Sequence, residues 1–489
     1  MKIKLFSICV VYFTILCSSC SKWINITPTD KLTEDMLYSD RAGFLKALNG
    51  VYVELANHEL YGANLSSSII DVMGQYYLKP SNTQSYYYYA TYAYNQEVVK
   101  LGFENIWQKA YELLTNCNVI IEKCDEQNGV LTDSYFNIIK GEALAIRAMI
   151  HFDMLRLFGP IWSDENKSKV TIPYSSSGKI EISPLLTADD VMKNITDDFT
   201  SALQLLKKSD PILTEGVRNF SNPDGSNDLY FRQYRLNYYA VKALLARAHL
   251  WKGDKKTALQ YSKEILEEVQ NPSKPIFPFV TGAAATNATA PDRVFSSEII
   301  FSLYQINRGD LYRDLFSADL EQKFRLSFNN GGTDKSRVNE LYDDENDYRR
   351  RIWEDVSVLG GAILTNQKYK DYSESASKHM IPLIRLSEVL LMAAECSDDL
   401  QESIKYLNTL RTHRNCISLF PANASELNNI IAKEFRKEVI GEGQMFFYYK
   451  RNAMTFIPSH LTLTGEQHML LQNYVVPLPD SEISQRRNR

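Results

Sequence analysis

FNIIKGEALAIRAMIHFDMLRLFGP, residues 136–160, is the stretch from which the fold can be read. Ile139, Ala143, Ile146, Ile150, Met154 and Leu157 recur every three or four positions, the period of one helix face. Beside them Ala145, Ala148, Phe152 and Leu155 make a second apolar stripe, so the helix is covered on two sides and belongs to the core. Ala143, Ala145 and Ala148 are small enough for other helices to come close, and Gly159 and Pro160 supply the residue types that end a helix. The same design returns at Tyr239–Lys252 and Ile384–Glu395, which predicts an all-α fold of stacked helix pairs.

A chain of 489 residues holds one very large core or two or three merged units. The net charge of −5 is small and no long stripe of Lys and Arg exists, which argues against nucleic acid as a partner. Tyrosines outnumber phenylalanines, 30 to 22, so many rings keep a hydroxyl near water or a polar ligand. At the N-terminus, Lys2 and Lys4 precede the apolar run Leu5–Leu16, too short to span a bilayer and suited to an export signal over residues 1–19. Ser18, Ser19 and Cys20 resemble the end of a bacterial lipobox, in which the cysteine is acylated, although Cys17 stands where Leu is usual. That reading anchors the chain to a membrane through Cys20; an ordinary cleaved signal is the alternative. On a helix Cys117 and Cys124 are two turns apart, too far for a disulfide, and read as buried apolar side chains. The seven histidines include no pair at metal-ligand spacing, so neither a metal nor another cofactor is expected.

Residues 20–37 read as a polar lipidated tether. A helical region follows over 38–270, with Ser39 or Asp40 capping a helix to about Asn57. Between helices, SYYYYATYAY (Ser85–Tyr94) crowds tyrosines onto one loop; if the loop is extended, Tyr86 and Tyr88 face one way and Tyr87 and Tyr89 the other. Helical period resumes over Phe103–Cys124, which should pack against the quoted helix across a turn at Glu126–Thr132. Thr187 or Asp189 can cap the next helix, Val191–Leu206. YAVKALLARAHLWKGDKKTALQYSKEILE (Tyr239–Glu267) looks like a tetratricopeptide-type pair, with Gly253 in the turn and Ala258 at the close approach. Residues 271–379 form a long insertion rich in Pro, Gly, Asn and aromatics, in which only Glu298–Leu303 reads as a strand. Loops of this length are usually functional. A C-terminal helical region, 380–489, closes the chain.

Several blocks resemble the SusD/RagB family of nutrient-binding outer-membrane lipoproteins of Bacteroidetes. WQKAYELLTNCNVII matches at Trp107, Tyr111, Asn116 and Asn118. GEALAIRAMIHFDMLRLFGP matches at Glu142, Ala143, Arg147, Ala148, Phe152, Leu155, Phe158 and Gly159. IRLSEVLLMAAE matches at Arg385, Leu386, Glu388, Leu391, Ala394 and Glu395, and LNTLRTHR adds Asn408 and Arg411. FRKEVIGEGQMFFYYKR matches at Arg436, Glu438, Glu442, Gly443 and Arg451, but carries Met445 and Tyr448 where the family usually has Arg and Asp. PLPDSEI resembles the family's closing segment, with Arg486, Arg487 and Arg489 in place of the usual ending. The resemblance implies tetratricopeptide-like pairs with a ligand face built from loop-rich excursions. It also implies oligosaccharide or, in some members, peptide ligands, and a TonB-dependent transporter as partner at the cell surface.

Sugar binding needs flat rings against C–H faces and polar groups for hydroxyls. Asn82, Gln84, Tyr86 and Tyr88 in the first excursion supply both, as do Tyr304, Asn307, Tyr312, Arg313 and Phe316 in the second, with Trp353. For any one of these rings, packing beneath its own loop is the alternative. Glu142 with Arg147, Arg385 with Glu388, and Glu434, Glu438 and Glu442 can be read as acid/base pairs, or as ion pairs holding helices together. Nothing singles out two carboxylates about one bond, and no nucleophile-elbow, zinc-protease or phosphate-loop motif occurs, so the expectation is a binding protein and not an enzyme. A helical glycosidase or lyase is the competing class.

Overall fold

The computed structural model describes residues 34–487 except 127–128, 180, 272 and 373–374. The export signal, Cys20 and most of the tether lie outside the described residues. Helix α1, Arg41–Leu55, starts at Asp40, whose carboxylate accepts the Gly43 N–H at 2.8 Å. Helices α2 (Glu97–Glu126) and α3 (Asp133–Phe158) follow, each longer at its start than its apolar period suggests. Thr187 caps α4, Ala188–Ser209, accepting the Asp190 N–H at 3.1 Å. Next come α5 (Tyr238–Trp251) and α6 (Lys255–Val269), joined by a turn in which Gly253 holds φ at 82°. Helices α7 (Leu386–Cys396), α8 (Leu400–His413) and α9 (Ala424–Glu438) complete the stack, and the short α10 (Met445–Arg451) folds back on it. Each helix packs on the next: α3 on α2 and α4, α5 on α4 and α6, α6 on α7, and α7 on α8 and α9.

Every residue of α3 from Gly141 to Phe158 is buried. A side chain at Gly141 would sit 3.0 Å from Leu206 Cγ of α4, so the close approach needs glycine there. The last carbonyls of α3 are satisfied by one buried ammonium: Lys450 donates to the carbonyls of Arg156 (2.7 Å), Leu157 (3.1 Å) and Gly159 (2.7 Å). Cys117 and Cys124 on α2, Cys396 on α7 and Cys416 are free, buried thiols, each pushed up to about 12 by burial.

The insertion contains more strand than the sequence suggests. Beside β1 (Val170–Pro173) and β2 (Leu185–Thr187), which pair before α4, β3 (Ile299–Tyr304) pairs with β6 (Met380–Arg385), and β4 (Trp353–Val358) with β5 (Gly361–Asn366). A final ribbon joins β7 (Phe456–Pro458) to β8 (Glu466–His468). Strand β6 is buried on both faces, so its apolar run merges with α7; the strand ends at Arg385 and the helix begins at Leu386. In β4 and β5 exposed, charged and small residues hide any alternation.

Buried ion pairs seat this insertion on the helices. Glu438 on α9 accepts from Arg385 (2.6 Å), Arg414 (2.7 Å) and Arg349 (3.0 Å); Arg414 also reaches Glu298 beside β3 at 2.7 Å. Burial alone would raise Glu438, but Arg414, Arg385 and Arg349 together hold it well below the usual carboxylate range. Glu434 meets Arg349 at 2.7 Å and Lys437 at 2.8 Å, and Glu442 meets Lys368 at 2.6 Å and Arg385 at 2.9 Å. The acid/base candidates of the motif helices are therefore bound up in ion pairs, most of them with partners distant in sequence. Glu142 meets Arg232 at 2.7 Å, Arg147 meets Asp198 at 2.7 Å, and Glu388 meets Arg247 at 2.6 Å. Removing one member of such a buried pair leaves the other uncompensated, a loss of about 3–5 kcal/mol.

Candidate functional site

The tyrosine loop is not extended. Tyr86 takes φ 66° and starts a helical turn, Tyr87–Ala90, which breaks the two-sided alternation. Gln75 fixes the loop from below, donating to the Ala90 carbonyl (2.8 Å) and the Tyr92 hydroxyl (2.9 Å). Tyr89 and Tyr92 are buried, while Tyr86, Tyr87 and Tyr88 remain partly exposed. Tyr87 lies edge-on to Tyr88 at 5.4 Å and to His460 at 6.4 Å. Asn82 is exposed at the loop tip. Gln84 is buried: its amide nitrogen donates to Asn330 at 3.3 Å. The Ser85 N–H donates to the Lys323 carbonyl at 2.8 Å, so the first excursion is hydrogen-bonded to the second.

On the second excursion Tyr304 ends β3 with half its surface exposed, edge-on to Tyr234 at 5.4 Å and tilted against His379 at 4.8 Å. Asn307 is exposed beside it, and its N–H donates to the Gln305 side chain at 3.3 Å. Arg308 is buried and donates to the Ser377 carbonyl at 2.5 Å, holding this turn to the chain before β6. Tyr312 is half-buried and accepts from Gln367 at 3.1 Å. Arg313 is exposed and held by Asp310 (2.6 Å) and Asp314 (2.8 Å). Phe316 and Trp353 are buried. The Trp353 ring lies on Phe328 at 3.7 Å, and Tyr77 fills the space between Phe328 and Phe316. Thus Tyr304 and Asn307 are both exposed, Asn82 is exposed while Tyr86 and Tyr88 are partly buried against the core, and Gln84 and Trp353 face inward.

A cleft of about 510 Å³ lies beside these excursions, and the sequence reading did not include it. Phe328, carried by the Trp353 stack, forms part of its wall. Met445 and Tyr449 of α10 and Phe456 of β7 add apolar surface. Arg436 of α9 and Arg337, on the short helix Ser336–Leu341, supply two buried guanidinium groups. Arg337 donates to the carbonyls of Tyr76 (2.8 Å) and Thr462 (2.6 Å), and Arg436 to the Gln75 carbonyl (2.8 Å) and Tyr449 hydroxyl (2.5 Å). Burial and the nearby Arg436 lower Arg337 to about 9. The only sequence signal lay in Arg436 and in Met445, the latter standing where an arginine is usual. A second cavity, about 560 Å³, lies between loop Tyr174–Leu186 and α4; there Arg147 is already neutralised by Asp198.

Residues 29–214 match a family described as starch-binding and associating with the outer membrane, and residues 363–488 match the SusD family. A SusD-like protein of Formosa agariphila is 21% identical over 173 residues, a match spanning 32% of this chain and 31% of that relative's length. Among solved structures, a SusD superfamily protein from Bacteroides thetaiotaomicron is 21% identical, with a TM-score of 0.70 over 92% of this chain and 98% of that one. A SusD-like carbohydrate-binding protein from Bacteroides vulgatus is 20% identical, with a TM-score of 0.68 over 92% and 97%.

Proposed function

The chain belongs to the SusD/RagB family, and from that premise we propose that it is a cell-surface lipoprotein that captures an oligosaccharide without altering it and passes it to a TonB-dependent outer-membrane transporter. The supporting observation is the platform at the end of β3. Tyr304 is half exposed, braced by Tyr234 and His379, and has the exposed Asn307 beside it: a ring face for sugar C–H groups with an amide for hydroxyls. Tyr86, Tyr88 and Asn82 form a second contact patch in this reading, and Tyr312 and Arg313 extend the surface between the two. Gln84 and Trp353 act from behind, Gln84 by joining the loops and Trp353 by supporting Phe328. Among the described residues no helix is long and apolar enough to cross a membrane; in this reading a lipid on Cys20 supplies the attachment.

Calorimetric titration of the full-length protein in detergent with a panel of oligosaccharides tests this. Binding without release of reducing ends, weakened by Tyr304→Ala, is the expected result. Release of reducing ends would replace it with a glycosidase or lyase. Competition by a peptide, with glycan affinity unchanged by Tyr86→Ala and Tyr88→Ala, would move the ligand to peptides.

A further inference from the structure

Among the described residues, most buried cations have a carboxylate within 4 Å. Arg232 has Glu142 and Asp210, Arg414 has Glu298 and Glu438, and even Arg308 has Asp371 at 3.8 Å. Lys450 is an exception, and it lies in the negative end of helix α3. The other exceptions are Lys79, Arg325, Arg337 and Arg436, and all of them gather along one stretch of backbone, Gln75–Lys79, and the segments touching it. Arg436 donates to the Gln75 carbonyl and Arg337 to that of Tyr76; Lys79 donates to the Arg325 carbonyl at 3.0 Å. Arg325 in turn donates to the carbonyls of Ala318 (3.2 Å) and Leu320 (3.1 Å). Every one of these acceptors is neutral, and the buried Arg325 Nε has no hydrogen-bond partner at all, so the charges lack a direct counter-ion. Burial and the Arg325 charge lower Lys79 to about 7, and burial also lowers Arg325.

Two of these cations, Arg337 and Arg436, line the cleft of about 510 Å³, a volume suited to a sugar unit or two. Lys433 is exposed at its rim, opposite the exposed carboxylates of Glu340 and Glu466; Glu340 is engaged by the Gly465 N–H at 2.9 Å. Phe456, 56% exposed, offers a ring face at the entrance. A positive potential inside a low-dielectric concavity favours an anion over a neutral solute, and the ring favours a sugar. We propose that this cleft binds an anionic saccharide unit, a uronate or a sulfated sugar, with its acidic group toward Arg337 and Arg436 and its ring against Phe456. The proposal rests on the glycan-capture reading above and names the charge class of its ligand.

The test titrates the full-length protein in detergent with a tetragalacturonate, a sulfated tetrasaccharide and neutral maltotetraose. We expect at least one anionic probe to bind about tenfold tighter than the neutral one, and the preference to shrink as NaCl rises from about 50 to about 500 mM. Which anionic probe wins separates carboxylate from sulfate. Arg436→Gln should abolish the preference. Because that variant also loses a buried contact, Lys433→Glu and Phe456→Ala, both at exposed positions, carry the same test with the fold intact. Lys433→Glu should weaken the anionic probe alone, and Phe456→Ala should weaken it about tenfold. Equal affinity for neutral and anionic probes, or anionic binding indifferent to Lys433→Glu and Phe456→Ala, overturns the cleft proposal and leaves glycan capture standing. No binding of any glycan overturns both.

Discussion

The molecule buries charge in two ways. At the junction of α9 with the insertion, Glu438 is met by Arg349, Arg385 and Arg414, and each arginine has a further carboxylate of its own or shares one. Around Gln75–Lys79, by contrast, Lys79, Arg325, Arg337 and Arg436 are held by carbonyl, amide and hydroxyl oxygens alone. Both groups are buried, although Arg337 and Arg436 also line the cleft, and what separates them most is the counter-charge. The first arrangement locks segments together and leaves no field to spare. The second weakens the fold slightly and leaves a positive field where a ligand can enter.

The largest effect should come from breaking the first arrangement. Glu438→Gln leaves three buried guanidinium groups short of a partner and should destabilise the protein by about 3–5 kcal/mol in denaturant titration; an unchanged midpoint would remove the locking role. Acid should reach the same junction. Burial raises Glu434, but Arg349, Lys437 and Arg411 outweigh it and lower the carboxyl to about 2, below its unfolded value. Its contribution is thus present above about pH 4 and lost as pH falls toward 2, worth about 3 kcal/mol in all. Glu434→Gln should flatten the fall of Tm over that window, and a slope identical to the parent's would show that other carboxylates carry it.

The second arrangement should respond with the opposite sign. Lys79 sits near 7 in the fold against 10.5 when unfolded, so its burden is full below pH 7 and fades as pH rises toward 10. Lys79→Met should therefore stabilise the protein, by about 2 kcal/mol at pH 6 and progressively less in alkali. A destabilised variant would mean that the ammonium is compensated after all. Smallest is the change expected at Tyr304, which belongs to neither group: Tyr304→Ala should move stability by no more than about 0.5 kcal/mol while lowering oligosaccharide affinity about tenfold. Thermal melts beside the titrations check both halves of that statement.

The helix stack was legible because its signals are local. Apolar residues three and four apart, Asp40 and Thr187 as caps and Gly253 in its turn all act within a few residues of themselves. The strands of the insertion were not, since β6 is apolar on both faces and β4 is largely exposed. Ion partners were also hidden. Glu142 and Arg147 invite pairing on one helix, yet each reaches to another segment, Arg232 and Asp198. The candidate site was legible in part: the tyrosine-rich loop and Tyr304 lie on excursions as read, but a run of adjacent rings does not reveal which face water, and Tyr89 and Tyr92 turn inward. The cleft joins Arg436, Met445 and Tyr449, all within one quoted block, to Arg337 and Phe456 from distant segments, and that block does not announce the partners it meets.

The four buried thiols have a practical consequence. With Cys117 and Cys124 on α2, Cys396 on α7 and Cys416 in the segment just after α8, a maleimide added to the native protein will find them silent, and each will react only when its own part of the stack opens. Mass spectrometry of the timed reaction would therefore place a clock in each half of the molecule, and the order in which the two clocks start would show which end of the stack gives way first.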